Sequence, residues 1–264
     1  MAESGRGALV TGAGHRIGRG IALALAADGW RTVVHYNASA AEAAAVVAEI
    51  EAAGGRAAAV GADLADPAAA EGLVAAAANT VGPLGCLVNN ASLFAYDSVD
   101  TFTADGWDSH MAVNLRAPAL LARRFAAGLP DGTDGVVVNL IDQKVVNLNA
   151  DFFSYTVSKL ALEGLTRLLA VALAPHVRVC GIAPGLTLPS ADQPAVQFAR
   201  VHDETPLGRG STVADIVTAV RYVLSAASLT GQTIVVDGGQ HLQPRARDVM
   251  FQPIDGGAEP APGG

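Results

Sequence analysis

The sequence predicts an α/β fold: one domain built on a doubly wound parallel sheet of seven strands, with helices on both faces. The first observation is that short apolar runs alternate with longer alanine-rich stretches, the order expected for strands joined by crossover helices. The second is composition, since 51% of the 264 residues are hydrophobic and only 16% are charged, which suits a large buried core. The third is that no linker-like composition interrupts the pattern before residue 240.

The expected strands and helices follow one another regularly. Strands are expected at seven runs of β-type residues, each four to seven residues long: Ala8–Thr11, Thr32–Tyr36, Ala57–Gly61, Cys86–Asn89, Gly135–Ile141, Arg178–Ile182 and Thr233–Val236. The stretches between them predict helices at about 16–28, 39–53, 67–81, 104–128, 153–174 and 212–227. Because a crossover helix separates the strands, the sheet is expected to be parallel and covered on both faces.

Two segments interrupt this order. Residues 184–210 contain four prolines and show little periodicity, so a substrate lid is expected at about 186–210. Residues 243–264 are rich in Pro and Gly and predict an irregular tail, packed on a neighbouring subunit. The expected division is therefore a domain over 1–242 and a tail over 243–264.

Charge and cysteine usage limit the partners. The formal net charge of −8 argues against a nucleic-acid or anionic-membrane surface. Cys86 and Cys180 lie in apolar runs without metal or disulfide spacing, so they predict buried free thiols and no metal site. No secretory signal is visible, and the apolar window Leu160–Ala174 carries two charged residues, as a buried helix would. A cytoplasmic protein is expected.

A Gly-rich turn follows the first strand. The letters TGAGHRIG, Thr11 to Gly18, place glycines at 12, 14 and 18, where a pyrophosphate would approach backbone N–H groups at a helix start. Such a turn alone is as often an ordinary strand–helix connection. Its place after the first strand of a βαβ unit favours a Rossmann-type dinucleotide site.

The end of the second strand favours NADP(H) over NAD(H). NAD-binding folds place an acid there for the ribose hydroxyls, but the letters HYNAS bring no acid before Glu42. Arg16, His35, Asn37 and Ser39 are instead expected to bind a 2′-phosphate through charge-assisted hydrogen bonds. The alternative is that Arg16 and His35 are surface polar residues.

The third strand is followed by Asp63 and Leu64. An acid at this position is expected to accept a hydrogen bond from the adenine amino group, with the leucine behind it. A turn or helix-capping role for Asp63 is almost equally expected.

Reactive groups gather at the ends of the fourth and fifth strands. These strands end in NNAS (Asn89 to Ser92) and in VNLID, and the next helix carries Tyr155 and Lys159, four residues apart on one face. A lysine ammonium beside a phenol favours the phenolate, so Lys159 is expected to lower the pKa of Tyr155. Tyr155 would then act as the proton donor, with Asp142 thirteen residues upstream.

Taken together, these motifs resemble the short-chain dehydrogenase/reductase family over about residues 5–242. The resemblance implies a homotetramer and an oxidoreductase activity, and it places Asn114 in a water-mediated proton relay behind Lys159. The alternative for Asn114 is a polar residue beside a kink imposed by Pro118. The residues that it implies at the cofactor are Gly12, Gly14, His15, Arg16, Ile17, Gly18, His35, Tyr36, Asn37, Ser39, Asp63, Leu64, Asn90, Ala91, Ser92, Tyr155, Lys159, Pro184 and Gly185.

Three positions depart from the usual family pattern: Arg16 and Ser92 replace glycines, and Asp142 replaces the catalytic serine. An ionised carboxylate cannot donate to a substrate oxygen and would repel an alkoxide, so ketone reduction is disfavoured. A carboxylate suits the reduction of a C=N bond through a protonated iminium. The next residues, Gln143 and Lys144, are particular to this chain and alter the pocket wall.

The same departures occur together in pteridine reductases, which this chain resembles in its arginine, its HY-x-x-S and NNAS-x-F motifs and its Asp–Tyr–Lys set. The resemblance implies an NADPH-dependent reductase that converts dihydropterins or dihydrofolate to tetrahydro forms. It implies Asp142, Tyr155, Lys159 and Asn114 as the catalytic set, and Ser92, Phe94, Asp142, Tyr155 and Leu186 at the substrate, with Phe94 stacked on the pterin. The alternatives are a reductase of ketones or other cyclic imines, and a non-catalytic NADP(H) sensor.

Overall fold

The structure is a computed structural model that describes residues 7–190 and 194–251. Its centre is a seven-stranded, all-parallel sheet of order β3-β2-β1-β4-β5-β6-β7. The strands are β1 (Gly7–Val10), β2 (Arg31–Tyr36), β3 (Arg56–Gly61), β4 (Leu84–Asn89), β5 (Gly135–Leu140), β6 (Val177–Pro184) and β7 (Thr233–Val236). The predicted Rossmann-type sheet is therefore confirmed.

Helices connect these strands and cover the sheet. They are α1 (Arg16–Ala27), α2 (Ala40–Ala52), α3 (Pro67–Val81), α4 (Ala104–Met111), α5 (Ala117–Ala127), α6 (Phe153–Ala172), α7 (Ala195–Asp203) and α8 (Val213–Ser225). Two differ from the prediction. The helix expected over 104–128 is divided into α4 and α5 by a π-helical turn, Ala112–Arg116, and α7 lies in the segment predicted as an irregular lid.

The π-helical turn has a local cause. Pro118 stands in the first turn of α5 and has no N–H to donate to the carbonyl group four residues earlier, that of Asn114. The regular helical ladder is interrupted there, and turns of this kind are frequent at functional sites.

Two apolar layers sandwich the sheet, as alternation along the buried strands requires. Val10 and Val34 face a layer that contains residues of α1, α2 and α8. Their neighbours Leu9 and Val33 face the opposite layer, which contains residues of α3, α5 and α6. No helix in the described part of the chain is long and apolar enough to span a membrane.

The strand order places the cleft. β1 pairs with β2 on one side and with β4 on the other, so the chain reverses its direction of winding between them. In open α/β sheets ligands bind outside the carboxyl ends of the strands at such a switch point. The Gly-rich turn and the NNAS motif both lie at this edge.

The segment after β7 lies against its own chain. Gln243 accepts a hydrogen bond at its carbonyl from the Asn147 side chain, and Val249–Phe251 forms a short 3₁₀ turn. The part of the predicted tail that follows, 252–264, lies outside the described residues. The proposed boundary at 242 stays a prediction.

Candidate active site

A cleft of about 750 Å³ opens at the carboxyl edge of the sheet. All of the predicted site residues line it except Gly14 and Asn114. Gly14 lies instead against the start of α2, where an added Cβ would be 3.4 Å from the Ala43 nitrogen. Gln143 and Lys144, which were expected to alter the pocket wall, line it too. Further residues line the cleft without having been predicted at the site: Leu93, Val113, Leu140, Ile141, Thr187, Leu188, Ser190, Gln240, Asp248, Val249 and Met250.

The Gly-rich turn is fitted tightly to the end of β4. Gly12 has a φ of 61°, and a Cβ on Gly18 would lie 2.4 Å from both the Asn90 amide nitrogen and the Gly12 oxygen. The Asn90 amide donates to the Thr11 carbonyl at 2.8 Å and to the Gly12 carbonyl at 3.1 Å. Only glycine fits position 18, so the backbone is held close to where a pyrophosphate would bind.

His35 holds the Gly-rich turn in place through hydrogen bonds of its ring. Its Nδ1 accepts from the Gly12 N–H at 3.1 Å, and its Nε2 lies 3.0 Å from the Ala62 carbonyl, to which it donates. The ring is 1% exposed, and burial lowers its pKa below the ordinary value. His35 is therefore a neutral support, neither the charged phosphate ligand nor the surface residue that the sequence suggested, because both ring nitrogens are already used.

Arg16 begins α1 in a left-handed conformation, with a φ of 55°. Its guanidinium lies in the cleft and donates to the Pro189 carbonyl at 2.8 Å and to the Leu188 carbonyl at 3.4 Å. A non-glycine residue in this conformation costs about 1–2 kcal/mol, which accounts for the glycine usual in the family. Strain of this kind is a reason to look for function in the side chain.

Polar side chains continue along the cleft beyond Arg16. Ser39 is the N-cap residue of α2, yet its side chain makes no capping hydrogen bond. Asp63 accepts from the Ala65 N–H at 2.9 Å, so the turn role expected for it is present. Its contact with adenine stays a prediction.

Asp142 and Tyr155 are joined directly. The Tyr155 hydroxyl donates to Asp142 Oδ2 at 2.7 Å, and Oδ1 accepts from the Lys144 N–H at 2.8 Å. Burial raises the pKa of Asp142 above its ordinary value, although these hydrogen bonds oppose the rise. Burial and the neighbouring carboxylate raise the pKa of Tyr155 well above its ordinary value.

The predicted lowering of the Tyr155 pKa by Lys159 is therefore wrong for this site. The Lys159 ammonium donates to the Leu140 carbonyl at 2.8 Å and is 5.7 Å from the centre of the Tyr155 ring. Burial lowers its own pKa to about 8. A carboxylate in hydrogen-bond contact outweighs a more distant ammonium, so Tyr155 stays a phenol and Asp142 takes up a proton more readily than usual.

Asn114 lies in the π-helical turn and is fully buried. Its amide nitrogen donates to the Leu93 carbonyl and to the Ser158 hydroxyl, both at 2.9 Å, and its oxygen accepts from the Leu93 N–H at 2.7 Å. The side chain thus links the loop after β4 to α6. The predicted water relay stays a prediction.

An aromatic cluster forms the mouth of the cleft. Phe94 stacks on Phe152 with ring centres 4.2 Å apart and meets Tyr155 edge-on at 4.7 Å, while 45% of it stays exposed. Phe152 is buried and, like Arg16, has a positive φ of 56°. One face of Phe94 is covered by Phe152, which holds the ring at the entrance. Phe152 carried no sequence signal beyond its place before the catalytic helix.

Sequence reasoning expected Lys144 at the pocket wall but left out its partner, the segment around Asp248. Lys144 is 3% exposed, and its ammonium donates to Asn149 at 2.6 Å and to Asp248 at 2.7 Å. The position of Lys144, two residues after Asp142, was a usable signal. The sequence held no such signal for Asp248, because the composition of a Pro- and Gly-rich segment does not indicate where the segment packs in the fold.

Comparisons with known proteins agree with this geometry. The family model for short chain dehydrogenases matches residues 6–198. A crystal structure of FolM alternative dihydrofolate reductase 1 from Brucella canis, complexed with NADP, is similar with a TM-score of 0.84 and 46% identity over 90% of this chain and 94% of that one. L-xylulose reductase from Bos taurus is 37% identical over 89% of this chain and 96% of its own length. The chain belongs to the short-chain dehydrogenase family of oxidoreductases.

Proposed function

We propose that this protein is an NADPH-dependent reductase of dihydropteridines, including dihydrofolate-type substrates, which reduces a ring C=N bond to give the tetrahydro form. The observation that carries the proposal is the 2.7 Å hydrogen bond between Tyr155 and Asp142, the residue that replaces the usual family serine. The similarity to the FolM dihydrofolate reductase from Brucella canis supports the same substrate class.

The proposal of NADPH as the cofactor is supported by the shape of the Gly-rich turn and by the side chains near it. Position 18, where a Cβ would clash with Asn90, keeps the turn packed closely against the end of β4, so the start of α1 lies where a pyrophosphate would bind. Arg16 and Ser39 provide a guanidinium and a hydroxyl for a 2′-phosphate, and no acidic residue lies between the end of β2 at Tyr36 and Glu42. The similar Brucella canis protein was crystallised with NADP. When bound, NADPH would supply the hydride.

The chain's own part in the reaction is to supply and hold a proton. Addition of hydride to the carbon of a C=N bond leaves the nitrogen to take one proton. Tyr155, kept as a phenol, donates it, and Asp142, with its raised pKa, replaces the proton on the Tyr155 oxygen through their hydrogen bond. Where the ring nitrogen is already protonated before hydride transfer, no further proton is needed, and Asp142 in its ionised form stabilises the cationic iminium.

The remaining residues orient the substrate. Phe94 offers a flat surface at the entrance, held against Phe152, and aromatic faces bind planar rings well. Ser92 lies beside it in the cleft. Lys159, 3% exposed, holds the Leu140 carbonyl and so fixes the end of β5 next to Asp142.

A second candidate is the reduction of a ketone. Burial raises the pKa of Asp142, and a protonated carboxyl group can donate to a carbonyl oxygen as serine does. The likeness to L-xylulose reductase from Bos taurus points the same way.

Steady-state assays separate the two candidates. Purified protein is given NADPH with dihydrobiopterin, dihydromonapterin or dihydrofolate, and in parallel with a panel of sugars and ketones. We expect NADPH oxidation with the pteridines, and we expect Asp142→Ser to lower it. Carbonyl turnover that exceeds pteridine turnover in the unchanged protein would favour the second candidate. Absence of NADPH oxidation with every pteridine would contradict the proposal.

A homotetramer and a cytoplasmic location stay predictions. Leu168 and Val171 of α6 are 70% and 80% exposed in the single chain, and apolar side chains of this kind suit a subunit interface. Size-exclusion chromatography with light scattering measures the assembly directly.

A further inference from the structure

We infer that residues 247–251 form one wall of the substrate site, and that Val249 and Met250 limit the size of the group that a substrate carries beyond its pteridine ring. This inference rests on the proposed function and deepens it. Val249 and Met250 line the same cleft as Asp142 and Tyr155, although more than 90 residues separate them in the chain.

Two ion pairs anchor this wall to the loop after β5. Lys144 donates to Asp248 at 2.7 Å with 3% of its side chain exposed. Asp151, with 4% of its side chain exposed, accepts from Arg247 Nε at 2.9 Å and Nη2 at 2.8 Å. The Asp248 N–H also donates to Asp151 at 2.7 Å. In each pair one partner is buried, Lys144 in the first and Asp151 in the second, and a buried charge left without its partner is costly, so these contacts hold the wall in place.

The wall also contacts α7 and the aromatic cluster. The Gln197 amide of α7 donates to the Met250 carbonyl at 3.0 Å. Phe251 stacks on Phe152 with ring centres 5.9 Å apart and meets Tyr96 at 5.0 Å. The wall is therefore held from outside the cleft by α7 and by the aromatic cluster.

Lys144 connects the wall to Asp142. Its backbone N–H holds Asp142 Oδ1 at 2.8 Å, while its ammonium holds Asp248. The distance from the wall to the Asp142 carboxylate is thus set through a single buried residue. A substrate ring placed against Asp142 and Tyr155 meets the wall with its outer substituent.

The wall selects by size because the charged groups that line the cleft there, those of Lys144 and Asp248, are already paired. Asp248 Oδ2 accepts from Lys144, and Oδ1 accepts from the Met250 N–H at 3.1 Å. The Lys144 ammonium serves Asp248 and Asn149. The groups that remain to meet a substrate are the side chains of Val249 and Met250, which are apolar and exclude bulk.

The test compares a small and a large substituent on the same ring. The kcat/KM values for dihydrobiopterin and dihydrofolate are measured with NADPH for the unchanged protein and for V249A/M250A. We expect the ratio of dihydrofolate to dihydrobiopterin kcat/KM to rise by about tenfold, since a methylene or two in an apolar pocket has an effect of this order. Leu242→Ala is the matched control, because Leu242 is 67% exposed and lies outside the cleft.

A second variant removes the ion pair that anchors the wall and leaves Val249 and Met250 unchanged. K144M/D248L removes both charges together, so no buried charge is left unpaired, and we expect the same direction of change in the ratio. An unchanged ratio in both variants, with NADPH binding intact, would overturn this inference alone. An unchanged protein that reduces neither substrate would overturn the proposed function and the inference with it.

Discussion

The two halves of the cleft are built in different ways. The cofactor half is made mostly of backbone, with the turn after β1 fastened to the end of β4 by Asn90 and supported by a neutral His35. The substrate half is made of side chains from distant positions, such as Lys144 and Asp248, which lie 104 residues apart. A site made of backbone is altered chiefly by changes in shape, whereas a site made of side chains is altered by changes in chemistry. Substitutions should therefore affect the two halves separately.

A substitution at Tyr155 is expected to give the largest difference between the effects on the two halves of the cleft. Tyr155→Phe removes the hydroxyl that donates to Asp142, and the loss of a positioned proton donor lowers kcat by about 10²- to 10⁴-fold. Because the ring and its packing stay, the Kd for NADPH, measured by fluorescence titration, should remain near that of the unchanged protein. Tyr222→Phe, at a residue 56% exposed on α8, is the control. Weaker NADPH binding of the same size as the loss in kcat would mean that the halves are not separate.

A substitution at Arg16 is expected to have a smaller effect, and it should change cofactor binding while leaving the substrate half unaffected. Arg16→Gly removes a charge from the cofactor half, and a hydrogen bond to a charged group contributes about 1.5–3 kcal/mol, or roughly 10- to 100-fold in Kd. NADPH should lose this affinity while NADH keeps most of its own, since NADH has no 2′-phosphate. The preference among pteridines should not change.

The control for Arg16 is Arg19→Ala, because Arg19 lies on the same helix, pairs with Glu49 and does not line the cleft. Arg16→Gly also relieves the left-handed backbone strain, so its thermal midpoint should not fall. Equal weakening of NADPH and NADH would show that Arg16 only supports the lid carbonyl groups that it contacts.

The smallest effect is a pH dependence of stability at His35. Burial lowers the pKa of His35 in the folded protein, so its contribution is fully present above the unfolded pKa of about 6.5 and is lost as pH falls through the folded pKa. The slope from one proton is at most about 1.4 kcal/mol per pH unit. His35→Asn should be less stable at pH 7.5 in urea unfolding, and its deficit should shrink at lower pH.

His176→Asn provides the comparison for His35, because the His176 side chain is 69% exposed. This variant controls for the loss of an imidazole at a position away from the Gly-rich turn. A deficit for His35→Asn that stays constant with pH would mean that His35 is not held neutral beneath the Gly-rich turn.

The cofactor half could be predicted because its signals are local. The glycines at 12 and 18, the NNAS letters and the missing acid after β2 each lie within a few residues of the strand end that they serve. The role of His35 was missed, since its two partners, Gly12 and Ala62, lie in other segments. Whether an imidazole at a strand end is exposed or buried depends on packing that a motif does not describe.

The substrate half was predicted only where a helix or a strand end fixes the position. Asp142 and Tyr155 do meet, as their places at the end of β5 and on α6 suggested. The sign of the shift in the Tyr155 pKa was wrong because the spacing to Lys159 was considered without the burial of the phenol and without the closer carboxylate. Phe152 and the wall at 247–251 depend on long-range packing, and α7 was hidden by the prolines around it.

The long separations in the substrate half also set an order of assembly during synthesis. A chain leaves the ribosome from its N-terminus at about 5–20 residues per second, so the strands that hold the Gly-rich turn emerge well before Arg247 and Asp248. The pairs that these two residues make, over separations of 96 and 104 residues, close last. A nascent or prematurely ended chain would hold the parts of a dinucleotide site before it had a complete substrate enclosure, and a substrate that binds the finished enclosure would protect full-length molecules from proteolysis selectively.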